Sequence, residues 1–467
     1  MGDTMQPAGQ EVLVPLRPAT LTIGRGEWVA LALILVVYGL LAWQYAVRVP
    51  DWQAPDEPAH YNYVRQIADE GRLPVLEMGD WQQDYQNALV GSGFDPALTD
   101  RIDTLEYEDH QPPLYYLLQA PVYAASDGDL VALRLFSALI GAGVVLAAWA
   151  TLRALFPRWP ALALTGAAFM AFLPQHVSIL ASVSNDSLAE LLVGLTLLAS
   201  VRYLDRTQPR PPIALGLLVG AALLTKTTIY FLAGIAGLAV LLRWRRARWP
   251  LREAAGHIAA VLIPAVLLGG LWWARNLDVY GGTDFTGLAR HDAVTVGQPR
   301  TDDYIETMYG GSTRLYLENY ARTTFRSFWG QFGWMGVVMA GWTYTLFLLF
   351  AVGVVPGAIL FAGRHSWPRG LTPAQRESLF LFGIVLALVL AAYVLYNLDF
   401  VQFQGRYLYP ALVPLALLAA LGLRGWVDWL AGRWPVAAWL PVAAMFALAA
   451  FAWYALDTYI VPTLPAW

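Results

Sequence analysis

The chain has 467 residues, a formal net charge of −4, no cysteine and one lysine, Lys226. Hydrophobic residues make up 57% of it and charged residues 14%, against about 25% in soluble domains, with a mean hydropathy of +0.47. That composition excludes a soluble enzyme, a disulfide framework, a thiolate metal site and a cysteine nucleophile.

Residues 1–26 form a polar segment expected to be a disordered cytoplasmic tail, and 27–467 is expected to be one transmembrane domain. The first apolar run carries no small-residue cleavage site and reads as a signal anchor. Spanning a bilayer takes about 20 apolar residues per helix. Runs of that kind fall at 27–46, 130–152, 159–178, 187–204, 211–225, 228–243, 254–273, 342–362, 378–397, 407–425 and 436–456. The expectation is an all-α, polytopic membrane protein with about eleven transmembrane helices. The stretch 211–243 accommodates either one tilted helix or two short ones bending at the TKTT around Lys226.

Arginines mark one set of connections: Arg153 and Arg158, Arg202 to Arg210, the RWRRAR run from Arg243, Arg364 with Arg369, and Arg424 with Arg433. Short basic loops face the cytoplasm, so the N-terminus is expected inside, the C-terminus outside, and the protein in the plasma membrane. Two long connections then face outward. The first, about 48–129, holds sixteen Asp and Glu against four Arg; the second, about 275–340, is mixed in charge and rich in aromatics. Loops of such length are usually functional.

Within the first loop, DEPAHYNYVRQIADEGRLPV has the signature of a capped helix: Asp56 as cap, Pro58 in the first turn, a Tyr61, Val64, Ala68 face, and Gly71 and Pro74 as the stop. LYYLLQAPVYAA, 114–125, is too short to span and suits the interface. Asp56 and Glu57 read either as cap and helix-dipole partner or as a general base and its neighbour. His60 follows them on the same helix. EDHQPPLYY reads either as an acidic turn or as a source of further functional groups, Asp109, His110 and Gln111. Asn185 and Asp186 open a span, which helix capping alone can explain.

Four cations lie in or beside apolar runs: Arg134, Lys226, Arg275 and Arg406. Charges at such depth usually line a cavity, while snorkelling explains Arg134 and Arg275 equally well. Outward carboxylates beside buried cations suit transfer from a lipid phosphate: a carboxylate takes a hydroxyl proton and cations hold the departing phosphate. The lone histidines in HVSIL and HDAV read as structural.

The ordered series DEPAHYNYVRQIADEGRLPV, HQPPLYYLL, ALRLFSALIGAGVVLAAWATLRALFP, LPQHVSILASVSNDSLAELL, LLTKTTIYFLAG, WWARNLDVYGG, SFWGQFGWMG and VQFQGRYLYP resembles the GT-C superfamily of polyprenyl-phosphate-sugar glycosyltransferases. That superfamily includes protein O-mannosyltransferases and aminoarabinose transferases; the motifs look most like a bacterial branch of multi-pass membrane proteins. The resemblance implies a GT-C-like fold and an inverting transfer from a polyprenyl-phosphate-linked sugar to a glycan, lipid or protein hydroxyl outside the membrane. Asp56 takes the place of its acidic residue in the first external loop, with Glu57 as its neighbour; Asp109, from the EDH run, is expected as a further catalytic carboxylate. Arg134, Lys226, Arg275 and Arg406 take the places of its phosphate-binding cations; His60, His110, Gln111, Asn185 and Asp186 are expected, from their positions in this sequence alone, as substrate-binding groups. Aminoarabinose-type relatives carry Lys where this chain has Gln111, which leaves the sugar open. The chain has no large soluble C-terminal domain of the oligosaccharyltransferase kind, which points to a monosaccharide donor. No cofactor is required and no nucleic acid is involved; a divalent cation beside Asp56 and Glu57 stays open. The competing readings are a transporter or flippase of lipid-linked glycans, and a non-catalytic scaffold in which Asp56 only caps its helix; no inverted repeat of the transporter kind is visible.

Overall fold

A computed structural model describes residues 24–208, 210–430 and 434–465, so most of the expected tail lies outside it. Helix α1 (Arg25–Arg48) is followed by a long connection holding α2 (Glu57–Glu70), α3 (Gln83–Ser92) and α4 (Leu114–Ser126). Then come α5 (Leu130–Leu155), α6 (Pro160–Phe172), α7 (Pro174–Leu180), α8 (Asp186–Asp205), α9 (Ile213–Leu223), α10 (Leu232–Ala247) and α11 (Leu251–Tyr280). A second long connection carries α12 (Leu288–Val294), α13 (Thr301–Tyr309), α14 (Thr313–Trp329) and a two-stranded ribbon, β1 (Gln331–Phe332) and β2 (Val337–Val338). Helices α15 (Gly341–Arg364), α16 (Pro373–Asp399), α17 (Leu412–Leu430) and α18 (Leu440–Ala455) complete the bundle.

Among the described residues, nine helical segments are long and apolar enough to cross a membrane. A tenth is broken: α6 and α7 meet at 68°. Leu173 is extended there because the ring of Pro174 excludes its helical conformation. The eleventh expected span is α9, 11 residues long and short for a crossing. The chain does bend at TKTT, with Lys226 extended between α9 and α10. All eleven apolar runs are thus helical, but two of them are a broken helix and a short one.

Large apolar side chains on the outer faces of α1, α11, α15 and α16, such as Leu267, Leu271, Leu349 and Leu395, are exposed. In a multi-pass membrane protein that belt meets lipid. Inside, helices meet through small residues: a Cβ on Gly425 would lie 1.8 Å from the carbonyl of Gly357, so α15 and α17 touch backbone to backbone.

The long connections fold onto one end of the bundle. In the first, Tyr63 of α2 stacks on Tyr116 of α4 at 3.7 Å, and Leu114 N–H donates to Leu224 O at the end of α9. Helix α4 buries Tyr115, Tyr116 and Gln119 and exposes Leu117 and Leu118, as an amphipathic surface helix should. A satellite core of Ala59, Leu89, Phe94, Leu105 and Tyr107 holds the loop together. Trp334 Nε1 in the second connection donates to Trp52 O in the first, 2.9 Å away. The two loops form a single cap.

Candidate active site

The start of α2 departs from its expected capping geometry. Asp56 occupies the N-cap position, yet its side chain accepts no helix N–H, and its backbone is left-handed at φ 66°. An Asp tolerates that conformation better than most residues, but it remains unfavourable. The carboxylate turns outward instead. It accepts a bond from Arg406 Nη2 at 2.5 Å and another from Tyr107 Oη at 3.1 Å. The capping role read from sequence is replaced by these two contacts.

Arg406 is placed by the turn that opens α17. Gly405 N–H donates to Ser327 Oγ at 2.7 Å, and a Cβ on Gly405 would meet Phe328 N at 2.4 Å. Only glycine lets the turn seat so close to α14. The buried guanidinium then stands between two carboxylates, Asp56 and Asp186, whose Oδ2 is 3.9 Å from Nη1. Asp186 begins α8 and receives Lys226 Nζ at 2.5 Å. Charges therefore alternate: Asp56, Arg406, Asp186, Lys226. Capping does not explain Asn185 and Asp186 either: Asn185 caps nothing, and its amide reaches Tyr116 Oη at 3.3 Å.

Glu108 and His60 complete the cluster. Glu108 Oε2 is buried without a hydrogen-bond partner. Burial raises its carboxyl above the ordinary range, with His60 opposing and Asp56 reinforcing the shift. For His60, burial lowers the imidazole and Glu108 opposes it; its Nδ1 lies 2.8 Å from Tyr116 Oη. At Asp56, burial raises the carboxyl, but the charges of Arg406 and His60 and the bonds from Arg406 and Tyr107 outweigh it and hold it below its usual value. Asp56 is therefore the ionised carboxylate of the pair and Glu108 the one that resists ionisation.

Of these groups Asp56, Tyr107 and Glu108 border a cavity of about 280 Å³ between the two loops, lined also by His291, Trp334 and Tyr407. Aromatic faces beside polar groups suit a ligand with both apolar and hydroxyl surfaces.

Several residues singled out in the sequence stand elsewhere. Glu57 is fully buried against Arg134, whose Nε and Nη2 reach its two oxygens at 2.8 and 2.6 Å. The other Arg134 bonds go to the carbonyls of Ala46, Val49 and Pro50, so all five N–H donors are engaged. Neither side chain has capacity left for catalysis or a phosphate. Asp109 turns away from Asp56 and accepts from Gln66 Nε2 at 2.9 Å. Arg275, in the last turns of α11, bonds Pro74 O and covers Trp272, tying the first loop to that helix. His110 packs on His291 at 4.3 Å with its Nδ1 3.1 Å from Tyr107 O, supporting the cavity wall from behind. Gln111 accepts from Tyr63 Oη through its backbone carbonyl at 2.9 Å. Of the two lone histidines, His176 is structural, held between Met170 O and Glu190, whereas His291 lines the cavity. Sequence reading passed over Tyr107, Glu108 and Tyr407. Glu108 was within the EDH run, but residues 107–110 form a turn, in which neighbouring carboxylates point in opposite directions.

The same arrangement of elements occurs in known membrane proteins. The crystal structure of ArnT from Cupriavidus metallidurans bound to undecaprenyl phosphate superimposes with a TM-score of 0.52 at 14% identity, covering 94% of this chain and 74% of that one. Its apo form matches to the same extent. This is a GT-C fold. The oligosaccharyltransferase of Archaeoglobus fulgidus, solved with zinc and sulfate, overlaps at a TM-score of 0.49 and 14% identity, over 90% of this chain and 52% of that one. The family model for dolichyl-phosphate-mannose-protein mannosyltransferases matches residues 110–273, a GT-C segment that contains Asp186 and Lys226 but neither Asp56 nor Arg406. No curated protein sequence matches the chain.

Proposed function

We propose that this protein is an inverting glycosyltransferase that moves a sugar from a polyprenyl-phosphate donor to an acceptor hydroxyl on the extracytoplasmic face of the plasma membrane. The observation that carries the reading is the Asp56 carboxylate, at the edge of an open cavity and joined through Arg406 and Asp186 to Lys226. The mannosyltransferase family match and the GT-C fold shared with a protein solved on undecaprenyl phosphate support the donor class. The arginine-rich short connections support an outward-facing cavity, with the N-terminus inside and the C-terminus outside.

In the reaction, Asp56 accepts the proton of the acceptor hydroxyl as its oxygen attacks the anomeric carbon. The bond from that carbon to the phosphate oxygen breaks, and polyprenyl phosphate leaves with the electron pair. Lys226 and Arg406 stabilise its charge while Asp186 keeps both cations oriented. One displacement needs one base and no glycosyl-enzyme intermediate. Engaging the phosphate draws Arg406 away from Asp56, which makes Asp56 a stronger base once the donor is bound. No cofactor enters this scheme.

The test is transfer in proteoliposomes from a set of polyprenyl-phosphate sugars, with a compartment-specific reporter fused to the C-terminus. Transfer lost on Asp56→Asn, with a reporter active outside the cytoplasm, is expected. A donor that is translocated but never consumed would point to a flippase.

A further inference from the structure

A second group of carboxylates lies in the first long connection, on the side of the 106–110 turn away from the cavity. Ligand oxygens of Asp80, Glu106 and Asp109 all lie within 4.8 Å of one another. The group is assembled from distant pieces of loop: Glu106 N–H donates to Asp80 O at 3.1 Å, which sets the two segments side by side. Asp109 is 1% exposed, and its Oδ1 has no hydrogen-bond partner. Its other oxygen takes only the neutral amide of Gln66, at 2.9 Å. Among the described residues one cation is paired with the group, Arg65, 3.1 Å from Glu106. Three carboxylates against Arg65 and the Arg290 charge beside Asp80 leave an excess of negative charge in a half-buried site.

We propose that Asp80, Glu106 and Asp109 bind a hard divalent cation of the calcium type, which staples the first loop together behind the cavity. One such ion supplies the missing charge. Carboxylate oxygens without imidazole or thiolate select calcium or magnesium over zinc. Oxygens within 4.8 Å of one another can reach a shared central ion, for which calcium takes ligands at 2.3–2.6 Å. The ion would fix the turn that presents Tyr107 and Glu108 to the cavity, so it acts on position and not on the reacting atoms.

The experiment uses the full chain in detergent, stripped with EGTA and titrated with calcium chloride by calorimetry and thermal unfolding. One-site binding is expected, with a Tm rise of at least about 3 °C at a hundredfold excess over Kd. Asp109→Asn should abolish the calcium response while holding or raising the Tm in EGTA, because it relieves like-charge repulsion. Glu106→Gln is the second variant and should behave alike if Asp109→Asn folds poorly. No binding by the unmodified protein at millimolar calcium, or a calcium shift that survives in both variants, would overturn the assignment. Neither readout depends on glycosyl transfer, so failure here leaves the proposed reaction standing.

Discussion

Asp56 and Glu57 are adjacent in sequence, and each pairs with an arginine from far along the chain. The Glu57–Arg134 pair is sealed: both side chains are at most 2% exposed, and every guanidinium donor is used. The Asp56–Arg406 pair is open: Asp56 is 26% exposed at a cavity wall, and Arg406 Nε has no partner. A saturated pair can only hold structure, joining α1, α2 and α5. An unsaturated pair can exchange its partner for a ligand. The two pairs thus differ in remaining hydrogen-bonding capacity and not in residue type.

Breaking the sealed pair should cost the most stability. Arg134→Met leaves Glu57 as an uncompensated buried charge, for which about 3–5 kcal/mol is expected. Thermal melting in detergent checks it, and a variant as stable as the parent would erase the contrast. Lys226→Met and Arg406→Met remove cations from the open cluster. Each should weaken binding of a polyprenyl-phosphate sugar by about 10- to 100-fold, the worth of one charge-assisted hydrogen bond. Stability should fall less than for Arg134→Met, since Asp56 and Asp186 are partly exposed. Unchanged donor affinity in both variants argues against a phosphate role.

A smaller effect is expected in the pH dependence of stability. Glu106 titrates near 7 in the fold, raised by burial, then by Asp80, Glu70 and Asp103, with Arg65 opposing. An acid whose folded pKa is raised binds its proton more tightly when folded. Stability in EGTA should therefore decline as pH rises from about 4.3, the unfolded value, through 7. Glu106→Gln should flatten that decline, as should calcium. An unchanged slope in the variant would assign it to other groups.

Much of the architecture was legible because membrane helices announce themselves: burial in lipid demands long apolar runs, and all eleven runs are helical, one of them broken in two. The two irregular runs carried their own marks, Pro174 at one break and Lys226 at the other. Asp56, Asp186, Lys226 and Arg406 were also visible, as charges where charge is expensive. Their pairing was not, since Arg406 and Asp56 are 350 residues apart and meet only through the packing of the Gly405 turn on α14. Arg134 and Arg275 gave the same sequence signal as Arg406, and only the structure shows their partners, Glu57 with three carbonyls for the first and Pro74 O, Asn276 and Tyr280 for the second. Local rotation defeated the reading at two more places. The left-handed backbone of Asp56 turns its carboxylate off the helix, and the 107–110 turn exchanges Glu108 for Asp109 at the cavity.

The most direct measurement is turnover of Asp56→Asn with a lipid-linked sugar donor, alongside its Tm and its donor affinity. Asparagine tolerates the left-handed backbone, can keep its Oδ1 as acceptor for Arg406 and can donate its amide to the Tyr107 hydroxyl, so folding and donor binding should persist. Without a base, turnover should fall by about 10²–10⁴-fold. Full turnover in a folded, donor-binding Asp56→Asn protein would contradict the assignment of Asp56 as the base.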